Sequence, residues 1–236
     1  MHDFSSRILR PELLDGGQLH DEEVRRTLLD LRWINRYFGT RKVLLRALAS
    51  EISRRGLTEF TVLDVASGSC DLPIAVIHWA QRRKLKTQVF ALEYQHRHLG
   101  LFRRELMTYR ELYPFCADAF RVPLLNPKFD FVICSHFLHH LTEEQAVELL
   151  SRMSTWARHV VIVSDHERHP VPYYFFRLFS RLFTTSFVSR TDGLISLAKS
   201  FRKDELEKTA ERAGLARYRV ERHWPFQLIL ISDSGR

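Results

Sequence analysis

The sequence predicts an α/β protein built on a mostly parallel sheet with helices on both faces. Three observations lead there. Short apolar segments alternate with helical ones between residues 61 and 166. Those segments are apolar on both faces, as strands buried on both sides are. A closing pair of strand-like segments, 218–224 and 226–232, adds antiparallel character at one edge.

The elements follow in order. Residues 1–20 lack clear periodicity and contain Gly16-Gly17. From Asp21 to about Arg55 the spacing is helical, with Val24, Leu28, Leu31, Ile34 and Phe38 on one stripe. Gly39-Thr40 breaks the stripe and Leu44 to Ile52 resumes it, which gives two helices. The style changes after Gly56, so 1–56 reads as an N-terminal helical segment or lid and 57–236 as the main domain. TVLDVA (61–66) is the first strand, and DLPIAVIHWAQRRK (71–84) a helix with Pro73 in its first turn. QVFALE (88–93) is the second strand, followed by a helix over about 95–111. CADAF (116–120) is a short third strand and its end, and FDFVICSHF (129–137) the fourth. Thr142 and Gln145 form a capping box for a helix running to Trp156. HVVIVSDH (159–166) is the fifth strand. An aromatic segment, 171–190, then interrupts the alternation within an insertion of about 167–200. FRKDELEKTAERAGL (201–215) is an amphipathic helix ended by Gly214, and Trp224-Pro225 turns the corner between the last two strands.

Composition narrows the class. The chain has 236 residues, 45% apolar and 27% charged, as an ordinary globular protein has. The net charge of +8 is scattered in pairs such as Arg25-Arg26, Arg82-Arg83 and Arg103-Arg104, which read as solvated helix faces. Three cysteines with no CxxC argue against a disulfide framework or a thiolate zinc site and favour a reducing cytoplasm. MHDFSSRILRPELL has no apolar signal core, and no apolar run nears the roughly 18 residues of a membrane span.

In such sheets ligands bind at the carboxyl ends of the strands. The first such end is LDVASGSCDLP (63–73), a nucleotide-type turn with a single glycine, Gly68. Asp71 would put a carboxylate at the helix N-terminus, where a pyrophosphate would have to lie, so phosphate is disfavoured. No Gly-Lys-Ser/Thr follows, which removes a Walker loop. Asp64, Glu93 and Asp118 instead place acids at three successive strand ends. A positively charged nucleoside without phosphate suits them, and S-adenosylmethionine is such a molecule.

These motifs carry a resemblance. LDVASGSCDL, ALEYQ, CADAF and FDFVICSHFLHHL, in that order, resemble the four motifs of the class I S-adenosylmethionine-dependent methyltransferases, over about residues 40–232. Asp-x-Ala-x-Gly-x-x-Asp-Leu is similar to the variant in the ubiquinone/menaquinone-biosynthesis enzymes. Ala66 and Cys70 stand where glycines are usual, and TWARH stands where Lys-Pro-Gly-Gly is usual. The resemblance implies a Rossmann-like sheet of seven strands, six parallel and the seventh antiparallel. It implies cofactor contacts from Asp64, Ala66, Ser67, Gly68, Asp71, Glu93, Tyr94, Asp118, Ala119, Ser135 and His136. Asp118 also reads as a turn residue that bonds its own backbone.

The cluster His136, His139, His140 and the strand-end His166 border the transfer site in this fold. His166 is the first candidate for a general base, because an imidazole titrates near neutrality. His139 and His140 are further candidates, with packing as the plainer reading. HxxHH lacks a carboxylate or cysteine at ligand spacing, so no metal is expected. The insertion implies a cap over the acceptor, with Tyr173, Tyr174, Phe176 and Arg177 on one side and Trp33 and Tyr37 on the other. Arg177 and Arg181 also allow weak membrane-surface contact. The expectation is methyl transfer to a small aromatic or polyketide-like acceptor, most directly at a hydroxyl oxygen, by a cytoplasmic monomer or homodimer. No DNA partner is expected. RNA methylation using the basic surface, and an inactive cofactor-binding partner protein, stand as alternatives.

Overall fold

In the computed structural model, residues 3–123 and 129–234 are described. Seven strands form one sheet: β1 Glu59–Val65, β2 Lys86–Glu93, β3 Leu112–Cys116, β4 Phe129–Ser135, β5 Ala157–His166, β6 Tyr218–His223 and β7 Gln227–Asp233. Their order is β3-β2-β1-β4-β5-β7-β6. β7 runs antiparallel to both β5 and β6, and the other pairs are parallel. This is the expected sheet of six parallel strands and one antiparallel.

Period-two alternation sends neighbours to opposite cores. Val62, Phe131 and Ile162 pack with α1 (Asp21–Tyr37), α2 (Thr40–Arg55) and α3 (Asp71–Arg82) on one face. Leu63, Val132 and Val163 pack with α6 (Glu143–Trp156) and α9 (Lys203–Arg212) on the other. The capping box at Thr142 and Gln145 forms, with the Gln145 N–H on Thr142 Oγ1 at 3.3 Å and the Thr142 N–H on Gln145 Oε1 at 3.0 Å. The break between α1 and α2 has a steric reason. Gly39 has φ 100°, and a Cβ there would stand 3.1 Å from Pro225 Cδ.

Two elements differ from expectation. The single helix over 95–111 is two short helices, α4 His96–Leu101 and α5 Arg103–Leu106, broken at Phe102. The Phe102 ring is buried beneath the guanidinium of Arg32, 3.9 Å above its centroid. That tertiary contact overrides the local helical pattern. The third strand lies four residues earlier than CADAF, and Ala117–Phe120 is loop. Pro114 within β3 argues locally against a strand, but β3 is an edge strand pairing only with β2, where a missing N–H is tolerated.

After β5, α7 (Pro170–Phe179) and α8 (Phe187–Lys199) cross the carboxyl edge of the sheet. No residue of α7 is buried. No described helix is long and apolar enough to cross a membrane. The buried Arg168 ties this region down. It forms a bidentate pair with Glu205 and donates to the carbonyls of Phe4 and Ser200 at 3.0 and 2.7 Å. Arg168→Ala should cost about 3 kcal/mol of stability, because it strands a paired carboxylate and buried carbonyls; denaturant unfolding of both proteins checks this.

Candidate active site

The carboxyl ends of β2, β1, β4 and β5 and the start of β7 open into one cavity of about 740 Å³. The turn after β1 shapes its floor. Ala66, Gly68 and Cys70 all have left-handed backbone, with φ 60°, 55° and 60°. The positions that depart from glycine thus keep a conformation that glycine reaches without strain, at about 1–2 kcal/mol each for a residue with a Cβ. Hydrogen bonds hold it: Ser67 N–H to Leu92 O at 3.0 Å, Cys70 N–H to Ser67 O at 2.8 Å, and Gly68 N–H to Glu93 Oε2 at 2.7 Å. A Cβ on Gly68 would meet nothing, so the turn presents bare backbone to open space. Cys70 itself points into the core, not the cavity, and burial pushes its thiol up to about 12.

Helix α1 clamps this turn from outside. Arg32 donates to Ser69 O at 2.6 Å and Ser69 Oγ at 2.9 Å and grips both oxygens of Glu105. Asn35 Nδ2 donates to Asp71 Oδ2 at 3.1 Å. Neither Arg32 nor Asn35 carries a local sequence signal, since each acts on a turn more than thirty residues away.

All eleven residues expected at the cofactor line the cavity: Asp64, Ala66, Ser67, Gly68, Asp71 and Glu93, then Tyr94, Asp118, Ala119, Ser135 and His136. Asp64 is buried, and burial together with the carboxylates of Asp71 and Glu93 raises its pKa well above the usual range. Burial raises Asp71 too, opposed by the bond from Asn35. Glu93 also accepts the Gln95 N–H at 2.8 Å, with His98 Nδ1 3.5 Å away. Asp118 makes the turn that bonds its own backbone, accepting from Phe120 N–H at 2.8 Å. Its other oxygen lies 3.6 Å from Arg121 Nε. Ser135 Oγ, His136 Nδ1 and Gln227 Oε1 are buried without a protein hydrogen bond and border the same cavity. Buried polar atoms are nearly always satisfied, so a polar ligand or water belongs there. A cation facing Asp64 and hydroxyls facing Glu93 would relieve this arrangement, as S-adenosylmethionine would.

Three histidines, His136, His139 and His166, gather around Asp165, the residue before the end of β5. Asp165 accepts from His139 Nδ1 at 2.7 Å, the His139 N–H at 3.2 Å and the His166 N–H at 2.8 Å. His139 is buried between Asp165 and Glu12. Desolvation opposes its charge, but the two carboxylates win and raise it to about 9. His136 Nε2 pairs with Thr40 Oγ1 at 2.7 Å, and the His136 ring stacks on His166 with centroids 4.1 Å apart. His166 differs from expectation. Burial and the neighbouring His136 push its pKa well below the normal value, so it is neutral near pH 7 instead of titrating there. His136, His139, His140 and His166 all line the cavity.

The far wall is aromatic: Phe38, Phe175, Phe176, Phe183, Trp224 and Phe226. Of the residues expected at the acceptor, Tyr37 and Phe176 line the cavity, and Trp33, Tyr173, Tyr174 and Arg177 do not. Trp33 stacks outside on Phe183, with centroids 5.8 Å apart. Tyr173 and Tyr174 pack edge-on against Phe4. The helical turn of α7 divides these aromatics between faces, which composition alone does not resolve. Phe176 is seated against Gly193, where an added Cβ would lie 2.4 Å from Phe176 Cζ.

Residues 62–159 match the methyltransferase domain family, a match that names no subgroup. No curated protein matches the chain. Among solved structures, the chain is similar to an S-adenosylmethionine-dependent methyltransferase from Aquifex aeolicus. The TM-score is 0.62 at 16% identity, with 92% of this chain and 100% of that one covered. It is also similar to magnesium protoporphyrin IX methyltransferase from Synechocystis with bound S-adenosylmethionine. There the TM-score is 0.56 at 15% identity, over 93% and 99% of the two chains. A Nostoc punctiforme protein assigned as an O-methyltransferase matches with TM-score 0.53 at 19% identity over 74% of this chain. The chain spans 52% of that protein's length.

Asp64→Asn should raise the thermal midpoint of the cofactor-free protein, since it removes a carboxylate disfavoured by burial and two like neighbours. It should weaken S-adenosylmethionine binding about tenfold, the worth of one charge-assisted contact. Calorimetry in buffers of different ionisation enthalpy should also show proton release on binding, because a bound cation lowers the raised pKa of this acid cluster. Ala66→Gly should leave stability unchanged or raise it by up to about 1 kcal/mol, as the left-handed backbone no longer carries a Cβ; thermal unfolding reads the sign.

Proposed function

We propose that this chain is a class I S-adenosylmethionine-dependent methyltransferase and transfers methyl to a hydroxyl oxygen of a small, flat, aromatic or polyketide-like acceptor. One observation carries the reading: a single cavity has an acidic wall at the ends of β2 and β1 and an aromatic wall under α7. The strand order puts the ends of β4 and β5, with His136 and His166, on the side of β1 away from Glu93. The acidic wall takes the cofactor, the aromatic wall the acceptor, and the histidines stand where donor and acceptor meet. A Nostoc relative assigned to O-methyl transfer supports the oxygen as target.

The main effect is positioning. The pocket holds the acceptor oxygen in line with the sulfonium methyl, away from water. As the oxygen attacks the methyl and the carbon–sulfur bond breaks, the hydroxyl proton needs a destination. His166, neutral near pH 7, is that base. For Nε2 to accept, Nδ1 must carry the hydrogen. Gln227 stands 3.0 Å from Nδ1 through its amide nitrogen, and its amide oxygen is without a partner. Turning the amide over lets the oxygen accept from Nδ1–H and so holds the tautomer in which Nε2 accepts.

Incubation with S-adenosylmethionine and a panel of phenols, followed by mass spectrometry, tests the function; absence of methylated product together with normal cofactor binding would overturn the acceptor class. His166→Ala should lower kcat about 100-fold near pH 7, with the loss shrinking as the acceptor ionises by itself at high pH. An unchanged rate across the pH range removes His166 from the reaction. Gly193→Ala should push Phe176 into the cavity and raise KM for the acceptor while cofactor affinity stays the same.

A further inference from the structure

The turn after β4 meets the N-terminal segment at a cluster that the transfer step does not use. Glu12 is buried there, and its two oxygens lie 3.7 Å from His139 Nε2 and 3.7 Å from His140 Nε2. One ligand atom from each of the three residues lies within 4.8 Å of the others. We infer that Glu12, His139 and His140 bind a divalent first-row transition ion of the zinc class on the wall of the transfer cavity.

The outer contacts carry the inference. Each imidazole has its other nitrogen on a carboxylate: His139 Nδ1 on Asp165 at 2.7 Å, and His140 Nδ1 on Asp15 at 2.9 Å. A hydrogen held on Nδ1 by a carboxylate makes Nε2 the atom that takes an ion in place of a proton, the arrangement that orients metal-ligating histidines. Both Nε2 atoms face Glu12. Glu12 is oriented as well, since its Oε1 takes Ser196 Oγ at 2.8 Å and Lys199 Nζ at 3.4 Å. Oε2 is left for an ion. The charges also fit. Glu12, Asp15 and Asp165 bring three carboxylates to the two imidazoles against one lysine, Lys199, a surplus that favours a divalent ion in place of the His139 proton. Two imidazoles and one carboxylate form a donor set that suits zinc, cobalt or iron(II), with further positions open.

The sequence expectation of no metal rested on the absence of a carboxylate near HxxHH. The carboxylate comes from Glu12, 127 residues before His139. All three residues line the cavity. If the proposed function holds, an ion here presents its open positions to the acceptor.

The untagged full chain, stripped with EDTA, is titrated with CoCl2, without cofactor or acceptor, and visible d–d absorption is read. One equivalent should bind with an intense spectrum of low coordination number. Glu12→Gln and His140→Ala should each abolish it, whereas His78→Ala should not. Asp15→Asn, at a half-exposed position that should not disturb folding, should weaken binding about tenfold through its effect on His140. No saturable spectrum, or one that survives in folded Glu12→Gln and His140→Ala, overturns the site. If those variants fail to fold, unchanged binding by Asp15→Asn overturns it. The readout needs no turnover, so failure here and failure of the methyl-transfer reading are separate results.

Discussion

A parallel sheet buried on both faces has one convenient place to put charge, the edge where its strands end. Every other feature of the site follows from that constraint. β4 is buried from Phe129 to Cys134 and only partly exposed at Ser135. In β1 the apolar pair Val62-Leu63 leads to Asp64, and in β2 the apolar run Val89 to Leu92 leads to Glu93. Polar groups that the layers exclude collect along one line, and the strand order decides their sequence along it. The acids fall on one side of β1 and the histidines on the other, with no dedicated element needed to separate them.

Crowding is the result. Asp64, Asp71 and Glu93 share a small volume, and two of them are held where ionisation is disfavoured. Around Asp165 the balance runs the other way, because His139 and His136 neutralise the carboxylate and hold its pKa well below the normal range despite burial. One cavity thus contains one end where carboxylates crowd one another and another where carboxylates pair with imidazoles. A sulfonium ligand complements the first and leaves the second undisturbed.

Much of this was legible in the sequence because it is local. Alternation, the capping box at Thr142, the acids at strand ends and the stop at Gly214 each depend on neighbours within a few residues. What the sequence hid depends on distant partners. Pro114 masked a strand that only edge placement permits. Phe102 breaks a helix because Arg32 covers its ring. Arg32, Asn35 and Glu12 reach the site from segments with no motif of their own. The aromatic insertion was visible as a wall, but its division into residues that face the cavity and residues that face Phe4 or solvent depends on the phase of α7, which a run of aromatics does not reveal.

The turn at 66–70 has a consequence for how such proteins are found. Patterns written as glycine spacings describe the residue that reaches a left-handed backbone most cheaply, not the backbone itself. Ala66 and Cys70 occupy the same shape at a modest energetic penalty, which a well-packed surrounding absorbs. A ligand that touches main-chain atoms reads the shape and is blind to the substitution. Sequences scored as degenerate at this turn therefore form a reservoir of intact sites, and backbone dihedrals sort them better than residue letters do.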